Sequence, residues 1–230
     1  MRLVVLPFSL VFALEAVGAS AGVEDLLWSR ATASVSLARN AVASRIVTRT
    51  KVFDGSGKKM ESVEEVQELT GWDGEKPLMK SETKRDVVRD SGLKVRIDLK
   101  ATDNPFYASR QGLVAYNRVG EDTLDGKSCV RFHFEEAQSP TDKSGEGPVV
   151  GTAWVERESG QPIKVEYHPK KLPARVSAYT MTVLFQGRPD GSAVPREAHL
   201  EMRGGFLFIK RVVQLHKNLT DWTTTPNVKD

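Results

Sequence analysis

Histidine and cysteine are the first side chains to consider for metal or nucleophilic chemistry, and this sequence has four histidines and one cysteine. The histidines, His133, His168, His199 and His216, fall on separate predicted strands and lack the close spacing of a zinc-binding motif. Cys129 has no second cysteine with which to form a disulfide or a thiolate metal site. We therefore predict no metal ligands, outward-facing histidines on the sheet, and a Cys129 that packs as a small hydrophobe.

Sequence motifs of catalysis are equally weak. Gly18-Ala-Ser-Ala-Gly22 matches the G-x-S-x-G nucleophile pattern, but it spans the predicted cleavage site of an export signal. Glu135 and Glu136 are adjacent in a predicted strand, so their carboxylates point to opposite faces and cannot act as a pair. We predict a protein that is not an enzyme, with no catalytic residues and no cofactor.

Residues 1–21 have the features of a cleaved signal peptide. Arg2 precedes the apolar run Leu3–Leu14, and the small residues Ala19-Ser-Ala21 fit a signal-peptidase site. The run is shorter than the roughly 20 residues that span a bilayer, so we predict export into the periplasm and no integral membrane segment. The alternative is a buried N-terminal strand or helix. Residues 22–230 have a suitable size for a single domain.

The charge distribution argues against nucleic acid as a partner. The chain has 33 basic and 30 acidic residues, for a net charge of +3. Basic and acidic side chains alternate, as in Lys80–Asp86, whereas nucleic-acid-binding surfaces cluster lysine and arginine among aromatics. These charges are typical of solvated sheet faces.

The clearest element is a hairpin over Thr152–Tyr167. Apolar and polar residues alternate along Thr152–Arg157 and again along Pro162–Tyr167, which is the period of strands with one apolar face. Gly160 supplies the left-handed conformation that the turn between them requires. We predict that this hairpin is the repeating unit of the fold.

Similar alternation recurs along most of the chain. It predicts about ten antiparallel strands in one large sheet, which should curl into an unclosed half-barrel. Residues 23–44 favour one or two helical pieces, Lys59–Thr70 fits a helix or a strand, and residues 137–149 have the composition of a loop. Further strands are predicted at Arg45–Val52, Pro77–Thr83, Leu93–Leu99, Leu113–Val119, Ser128–Glu135, Tyr179–Gln186, Glu197–Arg203 and Phe206–His216.

The apolar face of this sheet is the candidate ligand site. If a helix over residues 23–44 fully covers the face, the face is an ordinary core; if the half-barrel is incompletely filled, it lines a cavity for an apolar ligand. Both alternatives remain open from the sequence. The residues predicted to form the face are Phe132, Phe134, Trp154, Tyr167, Met181, Phe185, Met202, Phe206 and Phe208.

Three segments carry a family resemblance: Asn104-Pro-Phe106, Leu124–Phe134 and Trp154–Ile163. With the early helix and the N-terminal signal, they resemble the LolA-like outer-membrane lipoprotein-sorting superfamily. The resemblance implies an unclosed antiparallel half-barrel closed by helices, whose apolar interior takes lipid or acyl chains. It also implies a lipid or lipidated protein as partner, in lipoprotein sorting or envelope maintenance. The alternative is a filled-core module that docks an envelope protein.

Overall fold

The computed structural model describes residues 25–89, 104–137, 148–206 and 209–226. They form an N-terminal helix, α1 (Leu26–Leu37), a short 3-10 helix (Ala108–Leu113) and ten strands. The predicted signal peptide, the predicted strand Leu93–Leu99 and most of the predicted loop 137–149 lie outside the described residues. The strands are β1 (Ala41–Asp54), β2 (Lys59–Asp73), β3 (Lys76–Val87), β4 (Val114–Leu124), β5 (Lys127–Glu136), β6 (Val149–Glu156), β7 (Pro162–Pro169), β8 (Val176–Gly187), β9 (Ala193–Phe206) and β10 (Ile209–Thr224).

All ten strands belong to one antiparallel sheet in the order β3-β2-β1-β10-β9-β8-β7-β6-β5-β4. Strands β1, β2 and β3 follow one another to one edge of the sheet, and β4 to β9 follow one another inward from the other edge. Strand β10 lies between β9 and β1 and pairs with both. The edge strands β3 and β4 pair with one neighbour each, so the sheet is unclosed. The predicted fold class, a large unclosed antiparallel sheet with an N-terminal helix, is confirmed.

Helix α1 begins at an N-cap, because the Asp25 carboxylate accepts a hydrogen bond from the backbone N–H of Leu27 at 2.9 Å. Its buried residues Ala31 and Val35 follow Trp28 by three and seven positions, so the three side chains lie on one face of the helix. The predicted helix over 23–44 is confirmed for α1 but wrong for residues 41–44. Those residues begin β1, because pairing with Trp222–Thr224 of β10 overrides their helix propensity.

Two ambiguous segments are resolved by strand pairing. Lys59–Thr70 is a strand, paired on one side with β1 and on the other with β3. The predicted continuous strand Phe206–His216 is wrong, because Phe206 ends β9 and pairs with Ile209 at the start of β10. Phe206 and Ile209, the two ends of the apolar run in that segment, therefore belong to two different strands.

Candidate functional site

The apolar face predicted from the sequence is present, and α1 packs on it. Side chains from β5 to β9 point toward the helix, and most of them are fully buried. Their alternation follows the predicted period: Ala153 and Val155 of β6 face inward, as does Val165 of β7. The buried residues of this face include Val130, Phe132, Phe134, Ala153, Val155, Val165, Met181, Val183, Phe185, Ala198 and Leu200.

Trp28 anchors α1 at the centre of this face and is 2% exposed. Its ring stacks on Tyr116 with centroids 4.2 Å apart and meets Phe132 edge-on at 5.5 Å. The indole Nε1 donates a hydrogen bond to Gln111 Oε1 at 3.0 Å, so its polar atom is satisfied although the ring is buried. A single side chain thus joins α1 to β4, to β5 and to the 3-10 helix.

The segment Asn104–Tyr107 supplies the second part of the cover. The Asn104 side chain accepts a hydrogen bond from the backbone N–H of Phe106 at 3.0 Å, which forms a tight turn. That turn places the fully buried Phe106 ring 4.7 Å from Trp28. Gln111 also donates to the carbonyl of Pro105 and fastens the turn to the 3-10 helix. This segment thus covers part of the apolar face beside α1.

The nine residues predicted for the ligand-binding face fall into five groups. Phe132, Phe134, Met181 and Phe185 are buried in the core under α1. Tyr167 is half-buried and packs against that core. Met202 is half-buried on β9, opposite Val213 of β10. The side chains of Phe206 and Phe208 lie outside the described residues, and Trp154 lies on the other face of the sheet.

The prediction that Trp154 lies on the apolar face is therefore wrong. Because Ala153 and Val155 point into the core, Trp154 between them points outward. Its indole N–H donates to Asp122 at 3.1 Å, and the Lys164 ammonium lies 4.6 Å from its ring centroid. The hydrogen bond from Trp154 lowers the pKa of Asp122 below its ordinary value. Trp154 belongs to a polar cluster that is separate from the apolar face.

The outer face carries a cluster that sequence motifs did not reveal. His199 of β9 and His216 of β10 are directly paired across the two strands, and their rings stack with centroids 4.1 Å apart. Glu197 lies two residues before His199 and shares its face. Its Oε2 is 3.1 Å from His199 Nε2 and 3.5 Å from His216 Nε2. The prediction that the four histidines are isolated is wrong for this pair.

Electrostatics and burial favour a neutral His216 and an ionised Glu197. Burial lowers the pKa of His216, and the neighbouring His199 lowers it further. The hydrogen bond from His199 lowers the pKa of Glu197. A neutral imidazole and a carboxylate both offer lone pairs, so the cluster is equipped to bind a cation or a hydrogen-bond donor.

A groove of about 510 Å³ adjoins this cluster on the same side of the sheet. Within it Arg49 forms an ion pair with Glu64 at 2.6 Å, and Arg49 is also paired in register with His216 across β1 and β10. Arg196 Nε lies 3.9 Å from Glu197 Oε1. Residues lining the groove include Arg45, Arg49, Glu64, Val66, Arg196 and Glu197.

Comparison with solved structures gives matches over most of the chain at low identity. A DUF1329 family protein from Desulfovibrio piger matches with a TM-score of 0.39 and 12% identity, covering 89% of this chain and 94% of that protein. A putative outer membrane lipoprotein-sorting protein domain from Vibrio parahaemolyticus matches with a TM-score of 0.39 and 10% identity, covering 88% and 95%. The Mycobacterium tuberculosis lipoprotein LppX matches with a TM-score of 0.33 and 9% identity, covering 88% and 97%.

These likenesses concern the fold alone. One of these structures is thus of the kind that the sequence resembles, an outer membrane lipoprotein-sorting protein domain. No protein-family model and no curated protein sequence matches the chain. Among the residues that the structure describes, no helix is long and apolar enough to cross a membrane.

Proposed function

We propose that the chain is a non-enzymatic binding protein of the periplasm that takes the acyl chain of a lipid or lipidated protein on the apolar face of its sheet. One observation carries the proposal: the centre of that face is covered by a single helix of 12 residues, anchored by Trp28. Displacing α1 would expose the part of the apolar face beneath it, beside the turn that holds Phe106. The predicted export signal in residues 1–21 supports the periplasmic location.

The cover is suited to displacement because its own stability is low. Isolated helices shorter than about 12–15 residues are marginal in water, so α1 depends on packing against the sheet. That packing uses one face of the helix, through Trp28, Ala31 and Val35. The opposite side is exposed at Leu26 and Leu37, which adds no attachment to the sheet. Loss of one small contact area therefore releases the whole helix.

An acyl chain can replace the apolar burial that the helix provides. Removing a buried tryptophan side chain costs about 3–5 kcal/mol. A buried methylene contributes about 0.8 kcal/mol, so about six methylenes compensate for the loss of Trp28 from the face. A chain of about 16 carbons exceeds that requirement severalfold. An acyl chain of that length can thus offset the apolar burial that Trp28 provides, with methylenes left over for the contacts of Ala31 and Val35.

The test is a titration of the purified mature chain with a diacylated lipopeptide and with phosphatidylglycerol vesicles, followed by native mass spectrometry. We expect one lipid or lipopeptide per chain. Trp28→Ala should bind at least about tenfold more tightly, because α1 competes less well for the face. Leu26→Ala is the matched control on the exposed side of the same helix and should bind like the wild type. Absence of binding by both the wild type and Trp28→Ala contradicts the proposal.

A filled-core module that docks an envelope protein is the second candidate. The filling of the described interior favours it, since Phe106 and Phe132 are fully buried and Trp28 is nearly so. A packed core leaves docking to an edge of the sheet or to the segment 137–149. In that case Trp28→Ala only destabilises the fold and binds no lipid. Deletion of Ser139–Gly147 should then abolish recovery of a partner in a pull-down.

A further inference from the structure

We propose that Glu197, His199 and His216 form a binding site for a divalent transition metal ion of the Zn²⁺ type on the outer face of the sheet. The three ligand atoms, one from each residue, all lie within 4.8 Å of one another. Two imidazoles and one carboxylate are a common ligand set of zinc with an open position. The residues come from two paired strands, which hold their backbones in fixed register.

The distances are close to those of a loaded site. Zinc binds nitrogen at about 2.0–2.1 Å and oxygen at about 2.0–2.2 Å, so two ligand atoms of a tetrahedral site are about 3.3–3.5 Å apart. Glu197 Oε2 lies 3.1 Å from His199 Nε2 and 3.5 Å from His216 Nε2. These two separations need to change by only a few tenths of an ångström, and the third pair of ligand atoms, on His199 and His216, lies within 4.8 Å.

The imidazole rings require one adjustment each. The ring planes are stacked at 18° to each other, and each Nε2 lies near Glu197 Oε2. A rotation about the side-chain torsions makes the lone pairs converge on one ion in front of Glu197. His199 must then carry its proton on Nδ1, which frees Nε2 for the metal. Nε2 of His216 has no hydrogen-bond partner among the described residues, so a metal would satisfy a buried polar atom.

The neighbouring arginines leave the cluster able to accept a cation. Arg49 forms a close ion pair with Glu64, which offsets its charge. Arg196 lies on the Oε1 side of Glu197, whereas Oε2 faces the histidines. At 3.9 Å the Arg196 Nε makes no hydrogen bond to that carboxylate, so Oε2 stays available to a metal ion. The carboxylate remains ionised and contributes a full negative charge to the site.

Three protein ligands leave a fourth position for water or for a group of a bound molecule. Glu197 also lines the groove of about 510 Å³, so the metal would lie at the edge of that groove. The metal would join β9 to β10 on the face opposite the apolar core. The site is thus independent of lipid binding, and either proposal can fail without the other.

The test uses the mature chain without a histidine tag and ZnCl₂ as the only added ligand. Isothermal titration should show one Zn²⁺ per chain, and Zn²⁺ should raise Tm reversibly with chelator. His199→Gln and His216→Gln should each weaken binding by more than the 10- to 100-fold typical for loss of a group that only orients a ligand. His133→Gln is the matched control, because His133 is an exposed histidine on the same face and should bind like the wild type.

A second measurement separates coordination from folding. Substitution with Co²⁺ should give the visible absorption of a tetrahedral N/O site in the wild type and in His133→Gln, and Glu197→Gln should reduce it. Unfolding of each metal-free variant by heat shows whether the fold is retained. The proposal is overturned if the folded wild type binds no Zn²⁺, or if His199→Gln and His216→Gln bind it as tightly as His133→Gln.

Discussion

Trp28→Ala should lower the free energy of unfolding by about 3–5 kcal/mol, the range for removal of a large aromatic side chain from a core. The indole is 2% exposed and packs against four aromatic rings, those of Tyr116, Phe106, Phe132 and Phe134. The substitution also leaves the Gln111 side chain without the indole N–H that it accepts from. A loss of this size is a large fraction of the stability of a typical domain.

Urea unfolding followed by circular dichroism gives this difference directly. Leu26→Ala on the same helix is 64% exposed at the substituted side chain, and it should change stability by less than about 0.5 kcal/mol. A dye that binds apolar surface should fluoresce more strongly with Trp28→Ala, because the face beneath α1 is partly uncovered. If Trp28→Ala and Leu26→Ala cost the same, Trp28 is not the anchor of the helix.

Most of the fold could be predicted because the strands alternate. Thr152–Tyr167 has an apolar residue at every second position and a glycine at the turn, and the structure has β6, a Gly160 with φ of 72°, and β7 in that place. The same period predicted Met181 and Phe185 on the apolar face, and both are buried on β8. Residues 41–44 were missed because alanine and serine carry little strand signal, and only their pairing with β10 makes them a strand.

The sequence does not reveal the histidine cluster, because the pairing of His199 with His216 depends on where one turn lies. Phe206 pairs with Ile209, and in the same register His199 pairs with His216. A turn placed at Gly204-Gly205 instead would set His199 opposite Lys210. Register in a hairpin follows from the turn position, and an error there moves every cross-strand neighbour. A correct register for the pairing of β9 with β10 would have predicted that the two histidines are neighbours.

Trp154 shows a different error, because the apolar character of its side chain was given more weight than its position in the strand alternation. Tryptophan was grouped with the apolar residues although its own alternation set it apart from Ala153 and Val155. In the structure the small residue Ala153 fills the core position, and the large ring binds Asp122 and Lys164 outside. Residue size is thus a poorer guide to the inner face of this sheet than strand period.

Gly151→Ala should be strongly destabilising, because a single added methyl group has no room. A Cβ at this position would collide with the backbone oxygen of Glu166 and lie 2.7 Å from two ring carbons of Phe134. Gly151 pairs with Phe134 on β5 and with Tyr167 on β7, so the strand is enclosed on both sides. A flexible side chain could move aside, but a strand backbone and a buried ring cannot do so cheaply.

We expect a loss of about 3 kcal/mol, the upper part of the range for overpacking a core. Gly112→Ala is the matched control, since a Cβ there meets no atom within 4 Å, and its stability should be equal to or slightly above that of the wild type. Urea unfolding of both variants measures the difference. Gly151→Ala with Phe134→Leu should recover part of the loss, because the smaller side chain vacates the ring position. An unchanged Gly151→Ala stability would mean that the β5–β7 face can expand there, and a face that expands is also one that can admit an acyl chain beside α1.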